Sequence, residues 1–500
     1  MRQKKALFFT LILTLFFSFS LTSHGWQGRM AGMEDPYGLV GDEYDYLIHV
    51  AKIAEGKGFN FYGGYRFTYT NVDKYETRIS SAPYGFNFSG EEFKHDALIG
   101  SSFALGPGRM GIFFSYQGVR GDFDTGLLPT EGSSFVGLKN KDNLDDFSLR
   151  VMYGIPVGGF ALGAETGVAY WQEKNSLLIY NDEGEGYINF HLIEGYQMNL
   201  SLPPFPAYDS AYWEIPLKVG LSGKMGPLDT QFTLRGGFIV GGDNTLTFGA
   251  YEPGDSAYDD LDGDTKGWSV GGDLWLRYHL GNGLSLPFIV SADYRDKKRK
   301  ARGTLWNLDP DIYLDCKNKE TSFNLTLGGG VDKAIGQQTR LAAGIYYSYL
   351  NSNKDMRLTV FDEGDYDGEV FFDDFPSSSE HRATLRLAGE HALSPVVALR
   401  GGLGFFYGLV TQDTVFGFRD ATETKVKLAA DGYRWGAGAS FGASIKLTPV
   451  TLEPFLNAGY QYMKLTADIY EDGSLIPGAD RKDKRNQWYV GGGLAVKFGQ

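Results

Sequence analysis

Cysteine is nearly missing from this chain: Cys316 is the one thiol in 500 residues. No intrachain disulfide framework can form, and a Cys/His zinc site lacks ligands. Cations are short as well, with 47 Lys and Arg against 61 Asp and Glu. A net charge of −14 repels a phosphate backbone and sets nucleic acid aside as a partner. After residue 25 no apolar run approaches the roughly eighteen residues that a spanning helix needs. A catalytic constellation is missing too. Gly438-Ala439-Ser440-Phe441-Gly442 spells a nucleophile elbow, and Gly106-Pro107-Gly108-Arg109-Met110-Gly111 spells a dinucleotide fingerprint. Neither opens a helical pattern, so each falls to chance in a glycine-rich chain. His279, His381 and His391 lie far in sequence from Ser440. Enzyme activity, a metal and a cofactor are therefore not expected.

What is present begins with a leader. Arg2, Lys4 and Lys5 precede an apolar stretch over 6–21, and the small Ser23 and Gly25 suit a cleavage site. Residues 1–25 read as a secretory signal peptide, whose removal takes the net charge from −14 to about −17. An exported membrane chain without spanning helices has to be a barrel. Glycine at 68 residues and aromatics at 15% fit one large curved sheet with interfacial rings.

The stretch 267–296 shows the pattern. Trp268, Val270, Leu274, Leu276, Tyr278 and Leu280 share one parity; Ser269, Gly271, Asp273, Arg277 and His279 share the other. A Gly281-Asn282-Gly283 turn follows, and Leu284, Leu286, Phe288, Val290, Ala292 and Tyr294 repeat the alternation. This is an antiparallel hairpin with one apolar and one polar face. Sixteen such segments run from 58–71 to 485–498, joined alternately by short turns and long loops. Strict alternation of connection length predicts an all-β, single antiparallel transmembrane barrel with short periplasmic turns and long extracellular loops. Pro216 and Pro287 fall inside predicted strands, where bulges or strand starts are expected. The last segment ends on Phe498 and resembles the C-terminal strand by which outer-membrane assembly machinery recognises its clients.

Residues 26–57 stand apart from the barrel at 58–500. From Asp42, Tyr46, Leu47, Val50 and Ile53 carry the apolar side of a short helix that Gly56 stops. So apolar a segment is expected inside the barrel or across its periplasmic mouth, as a plug or hatch. The stretch from Gly32-Met33 to Ala54, with Asp42-Glu43, resembles the mature N-terminus of FadL-type long-chain fatty-acid transporters, without their Asn-Pro. That resemblance implies passage of a hydrophobic or amphipathic substrate. The strand count resembles porins, with the longest loop after the fifth segment, and implies passive passage of small solutes and a homotrimer.

The polar parity predicts the lumen: Arg66, Arg150, Glu165, Glu214, Lys218, Arg235, Asp273, Arg277, Asp293, Arg386, Glu390, Arg400 and Arg434. Excess Arg and Lys in a wet pore would favour anions unless the carboxylates pair with them across strands. Acidic loops at 255–264 and 362–374 read as a solvated outer surface, with a calcium site as the lesser alternative. The expected location is the outer membrane of a Gram-negative bacterium. The expected partners are its lipid, the assembly machinery and small solutes. The expected function is a porin-like channel; a FadL-like transporter or a structural, adhesive barrel is the alternative.

Overall fold

The computed structural model describes Leu47 and residues 49–79, 85–128, 136–181, 184–185, 190–192, 196–198, 207–249, 258–305, 309–361, 369–374, 377–417, 425–471, 474–475 and 481–499. The leader, Asp42 and Tyr46 lie outside these residues, as do parts of both acidic loops.

Sixteen long strands follow one another in chain order: β1 (Asn60–Ile79), β2 (Gly85–Leu105), β3 (Gly108–Leu128), β4 (Val136–Val157), β5 (Phe160–Asn181), β6 (Ala207–Met225), β7 (Leu228–Gly249) and β8 (Tyr258–Gly281). The second half comprises β9 (Leu284–Leu305), β10 (Asp309–Ile335), β11 (Thr339–Phe361), β12 (Ser377–Ala392), β13 (Val397–Gly417), β14 (Lys425–Leu447), β15 (Val450–Glu471) and β16 (Arg481–Phe498). Each pairs antiparallel with its sequence neighbours. The ladder from Phe61↔Phe498 to Ile79↔Arg481 joins β1 to β16 and closes the barrel. Closure satisfies every edge, which a sheet in lipid requires.

The two faces differ as period-2 patterning demands. Outward positions carry large apolar side chains open to the surroundings, such as Ile345 at 67%, Leu456 at 63% and Val219 at 59% exposed. Tyr153, Phe160, Phe405, Tyr407 and Tyr460 are among the outward rings. No water-facing surface would tolerate so continuous a belt, and lipid covers it. At one end the strands are joined by tight turns. Gly106, Gly158, Gly226 and Gly336 take positive φ there, as does Asn282 between Gly281 and Gly283.

The strands are longer than a bilayer needs. They run from 16 to 27 residues, against the roughly 9–11 that span the hydrocarbon core. All the surplus lies at the loop end, so the barrel wall projects beyond the membrane on that side. Neither Pro216 nor Pro287 makes a bulge or starts a strand, contrary to expectation. Register is unchanged across each, but pairing lapses on one side: β5–β6 skips from Thr166↔Leu217 to Ala169↔Glu214, and β9–β10 from Ser285↔Asp332 to Phe288↔Gly329. A missing N–H costs ladder bonds toward one neighbour only, and the other neighbour holds the register. A true irregularity occurs at Gly241, where φ is +65°. There β7 bulges against β6 between Val240 and Gly242, and its pairing with β8 lapses between Ile239 and Asn244.

Candidate functional site: the lumen and its short-turn end

Side chains opposite in parity to the lipid belt meet one another across strands inside the barrel. Glu165 takes Lys218 at 3.1 Å and Arg150 at 4.0 Å. Arg235 bonds both Asp273 and Asp293, and Arg66 bonds Asp96. Arg277 and Arg340 share Asp332; Arg295 meets Glu214 at 3.0 Å. Arg434 and Arg382 share Glu380, at 2.6 Å each. Arg400 joins Glu390 at 2.6 Å to Glu453 at 2.8 Å, and Glu453 also holds Lys497 at 2.9 Å. Arg386 lies on the same wall, with its guanidinium laid over Gly404. Apart from Arg386, these cations therefore sit on carboxylates of the same strand, the next strand, or a strand two or three away around the wall. Pairing weakens the anion preference that their number alone suggests, because a paired charge exerts less field along a pore; Glu165, Asp332 and Glu380 nevertheless carry two cations each.

Aromatic rings also face inward, at several levels. Tyr212 and Trp171 stand toward the loop end with Lys297 Nζ 5.7 and 5.8 Å from their centroids. Phe406 lies beneath Arg382 and Arg434, at 5.3 and 5.7 Å. Trp275, nearer the turns, carries Arg277 at 4.7 Å. Guanidinium and ammonium groups on ring faces gain cation–π attraction and leave the rings in place along the passage. Lys297, with Glu320 at 3.0 Å, and Arg299, with Glu173 at 2.9 Å, belong to this lining. The sequence reading ended its strand before Lys297 and so missed both; the alternation in fact continues through β9 to Leu305.

At the short-turn end part of the chain's own N-terminal segment packs inside the lumen, against β3 to β7. Val50–Glu55 forms a 3-10 helix that ends at Gly56, as expected; the start of the expected helix at Asp42 lies outside the described residues. Val50 and Ile53 are fully buried, and with Leu47 they pack on Tyr62, Leu98, Phe113, Met152, Phe455 and Ala495, all inward residues of the wall. Burying Val50 and Ile53 is worth about 3–6 kcal/mol together. A single helical turn would not form in water without that wall.

Glycines make room for it. Gly154, Gly163 and Gly220 stand directly opposite one another on β4, β5 and β6. A Cβ on Gly163 would lie 2.6 Å from the backbone of Ala51 and Val50; one on Gly154 would lie 2.6 Å from Ile53 Cγ2. Gly111 on β3 continues the track under Ile53 Cδ1, at 2.7 Å. Polar ties fix the ends: Ser222 Oγ donates to Glu55 Oε1 at 3.0 Å, and Arg109 donates to Gly58 O at 2.6 Å and to Ser102 O at 3.0 Å. His49 precedes the helix, buried against the Trp275 ring at 6.1 Å.

The catalytic spellings dissolve in the fold. Gly438–Gly442 lies mid-strand in β14, and Gly106 is a hairpin turn. His279 does meet Ser285 Oγ at 3.3 Å across its own hairpin turn, and Asp229 Oδ2 at 2.6 Å, the second a contact that distance in sequence concealed.

No protein-family model matches the chain, and no curated protein does. Among solved structures it is similar to a Pseudomonas aeruginosa FadL homologue at 12% identity and TM-score 0.44, over 94% of this chain and 98% of the other. It is also similar to the Pseudomonas putida toluene transporter TodX at 10% identity and TM-score 0.38, over 95% and 98%. A third likeness is to the CymD monoaromatic hydrocarbon channel, at 9% identity and TM-score 0.34, over 97% and 99%.

Proposed function

We propose that the chain is an outer-membrane channel for hydrophobic or amphipathic compounds, with the segment around Val50–Glu55 as its hatch. The observation that carries the reading is the apolar seat inside the lumen. An open aqueous porin has no use for Tyr62, Phe113, Met152 and Phe455 facing inward, or for a helix that covers them. The rings of Trp171, Tyr212, Phe406 and Trp275 provide apolar steps between the loop end and that seat. The paired charges keep the wall hydrated and rigid without repelling an uncharged solute. Passive passage of hydrophilic solutes, the porin reading, fits this lining less well.

Uptake by cells carrying the chain in an otherwise impermeable outer membrane tests the proposal. An aromatic hydrocarbon and a long-chain fatty acid should enter faster with the chain than without it, and a small sugar should not. Faster entry of the sugar alone would restore the porin reading. No acceleration of any solute would leave a plugged scaffold that serves adhesion or structure.

A further inference from the structure

On the outward face, two adjacent rows above the lipid belt are cationic. Lys266, Lys298 and Lys319 stand directly opposite one another on β8, β9 and β10. The next row holds Lys300, Lys317 and Arg357 in register on β9, β10 and β11. Asp264 and Asp355 flank these rows, and Asp373, on the short strand Glu369–Asp374, stands opposite Arg357. Just below, Trp268 and Tyr294 lie ring to ring at 5.2 Å, the kind of aromatic pair that marks a membrane interface. The rows therefore sit at the height of the lipid headgroups on the loop side.

Like charges at directly opposed strand positions destabilise a sheet, and neighbouring strands are only about 4.8 Å apart. Lys298 has a lysine on each side. Asp264 beside Lys266, Asp315 at 2.9 Å from Lys317 and Asp296 at 3.8 Å from Lys319 offset part of the repulsion. Even so, the side chains of Lys266, Lys317 and Lys319 remain 72%, 48% and 48% exposed. In a chain of net charge −14 such a block calls for an anionic cover. We infer that these rows bind the headgroup of a lipid in the surrounding leaflet that carries more than one phosphate. A single phosphate satisfies two or three donors within one row. Two rows about 7 Å apart along the strand match a headgroup with phosphates at separate points. The inference is independent of what passes through the lumen.

The test compares purified barrel in mixed detergent micelles containing diphosphorylated lipid A or phosphatidylglycerol, with bound phosphorus as the readout. Lipid A should be retained well above phosphatidylglycerol. The double variant Lys298→Gln, Lys319→Gln should weaken its retention on the order of twentyfold, about fivefold per lysine. Lys427→Gln, whose lysine pairs with Asp413 in another sector, should leave retention unchanged. Heat-modifiable gel mobility confirms that each variant is an assembled barrel. Unchanged retention in the double variant would overturn the inference. So would an equal loss with Lys427→Gln, or phosphatidylglycerol held as tightly as lipid A.

Discussion

A methyl group on Gly163 would have to share space with the backbone of Val50 and Ala51, 2.6 Å away. Backbone cannot rotate aside as a long side chain can, so Gly163→Ala should evict the 3-10 helix and leave β5 intact. Burial of Val50 and Ile53, about 3–6 kcal/mol, holds the docked segment, and the clash with backbone removes the fit on which that burial depends. Added protease should then cleave near residues 50–55 in an assembled, heat-modifiable barrel; continued protection would show that the helix shifts without leaving. Gly220→Ala, whose Cβ meets Val50 Cγ1 at 3.0 Å and backbone only at 3.3 Å, should act more weakly because the nearest atom is a side chain that can yield. The lumen-facing charges were legible in the sequence from parity alone. The seat was not, because a glycine displays no face. The signal was available only through register, in three glycines that fall opposite one another on β4, β5 and β6.

Among the elements, the sixteen strands were legible because lipid on one side and water on the other impose period 2. Their outer ends were not. In the stretch Lys297–Leu305 both faces of β9 stand beyond the hydrocarbon core, so the inward–outward alternation goes on with polar residues on both faces and the stretch reads as loop. The 3-10 helix was legible as an apolar segment stopped by Gly56. Its docking should depend on pH through His49. Burial, then Lys52, Lys218 and Arg235, lower the imidazole from 6.5 to about 3. Trp275, which bears Arg277, packs against it and adds no carboxylate; Glu165 lies beyond Lys218. The docked helix thus binds fewer protons than a released one. Docking is at full strength above pH 6.5 and weakens as pH falls toward about 3. The loss is at most about 1.4 kcal/mol per pH unit. Protease sensitivity of the segment should therefore rise between about pH 6 and about pH 4, and His49→Gln should flatten the change. An equal rise in His49→Gln would assign it to lumen carboxylates.

For the molecule as a whole, a barrel with a segment docked inside its short-turn end predicts a specific electrical behaviour. The intact chain should pass little current in a planar bilayer, since the segment packed on Tyr62, Phe113, Met152 and Phe455 occupies the short-turn end. Deleting residues 34–54 removes that segment and touches no strand, as β1 begins at Asn60. The deleted form should assemble, keep its heat-modifiable mobility and show discrete, larger conductance steps. Its selectivity follows from the pairing inside. Arg66, Lys218, Arg235, Arg295, Arg400 and Arg434 each sit on a carboxylate, so most of the charge in the open lumen is paired. Fixed pairs at short range bias ion passage weakly, because their fields cancel beyond roughly a Debye length of about 8–10 Å. The reversal potential of the deleted form in a salt gradient should accordingly lie near zero. A strong anion preference would mean that the guanidinium groups leave their partners once the lumen is wet, and the ladder of cross-strand pairs would then be a closed-state arrangement. Unchanged conductance after the deletion would place the segment outside the conducting path, and the hatch would fall with it.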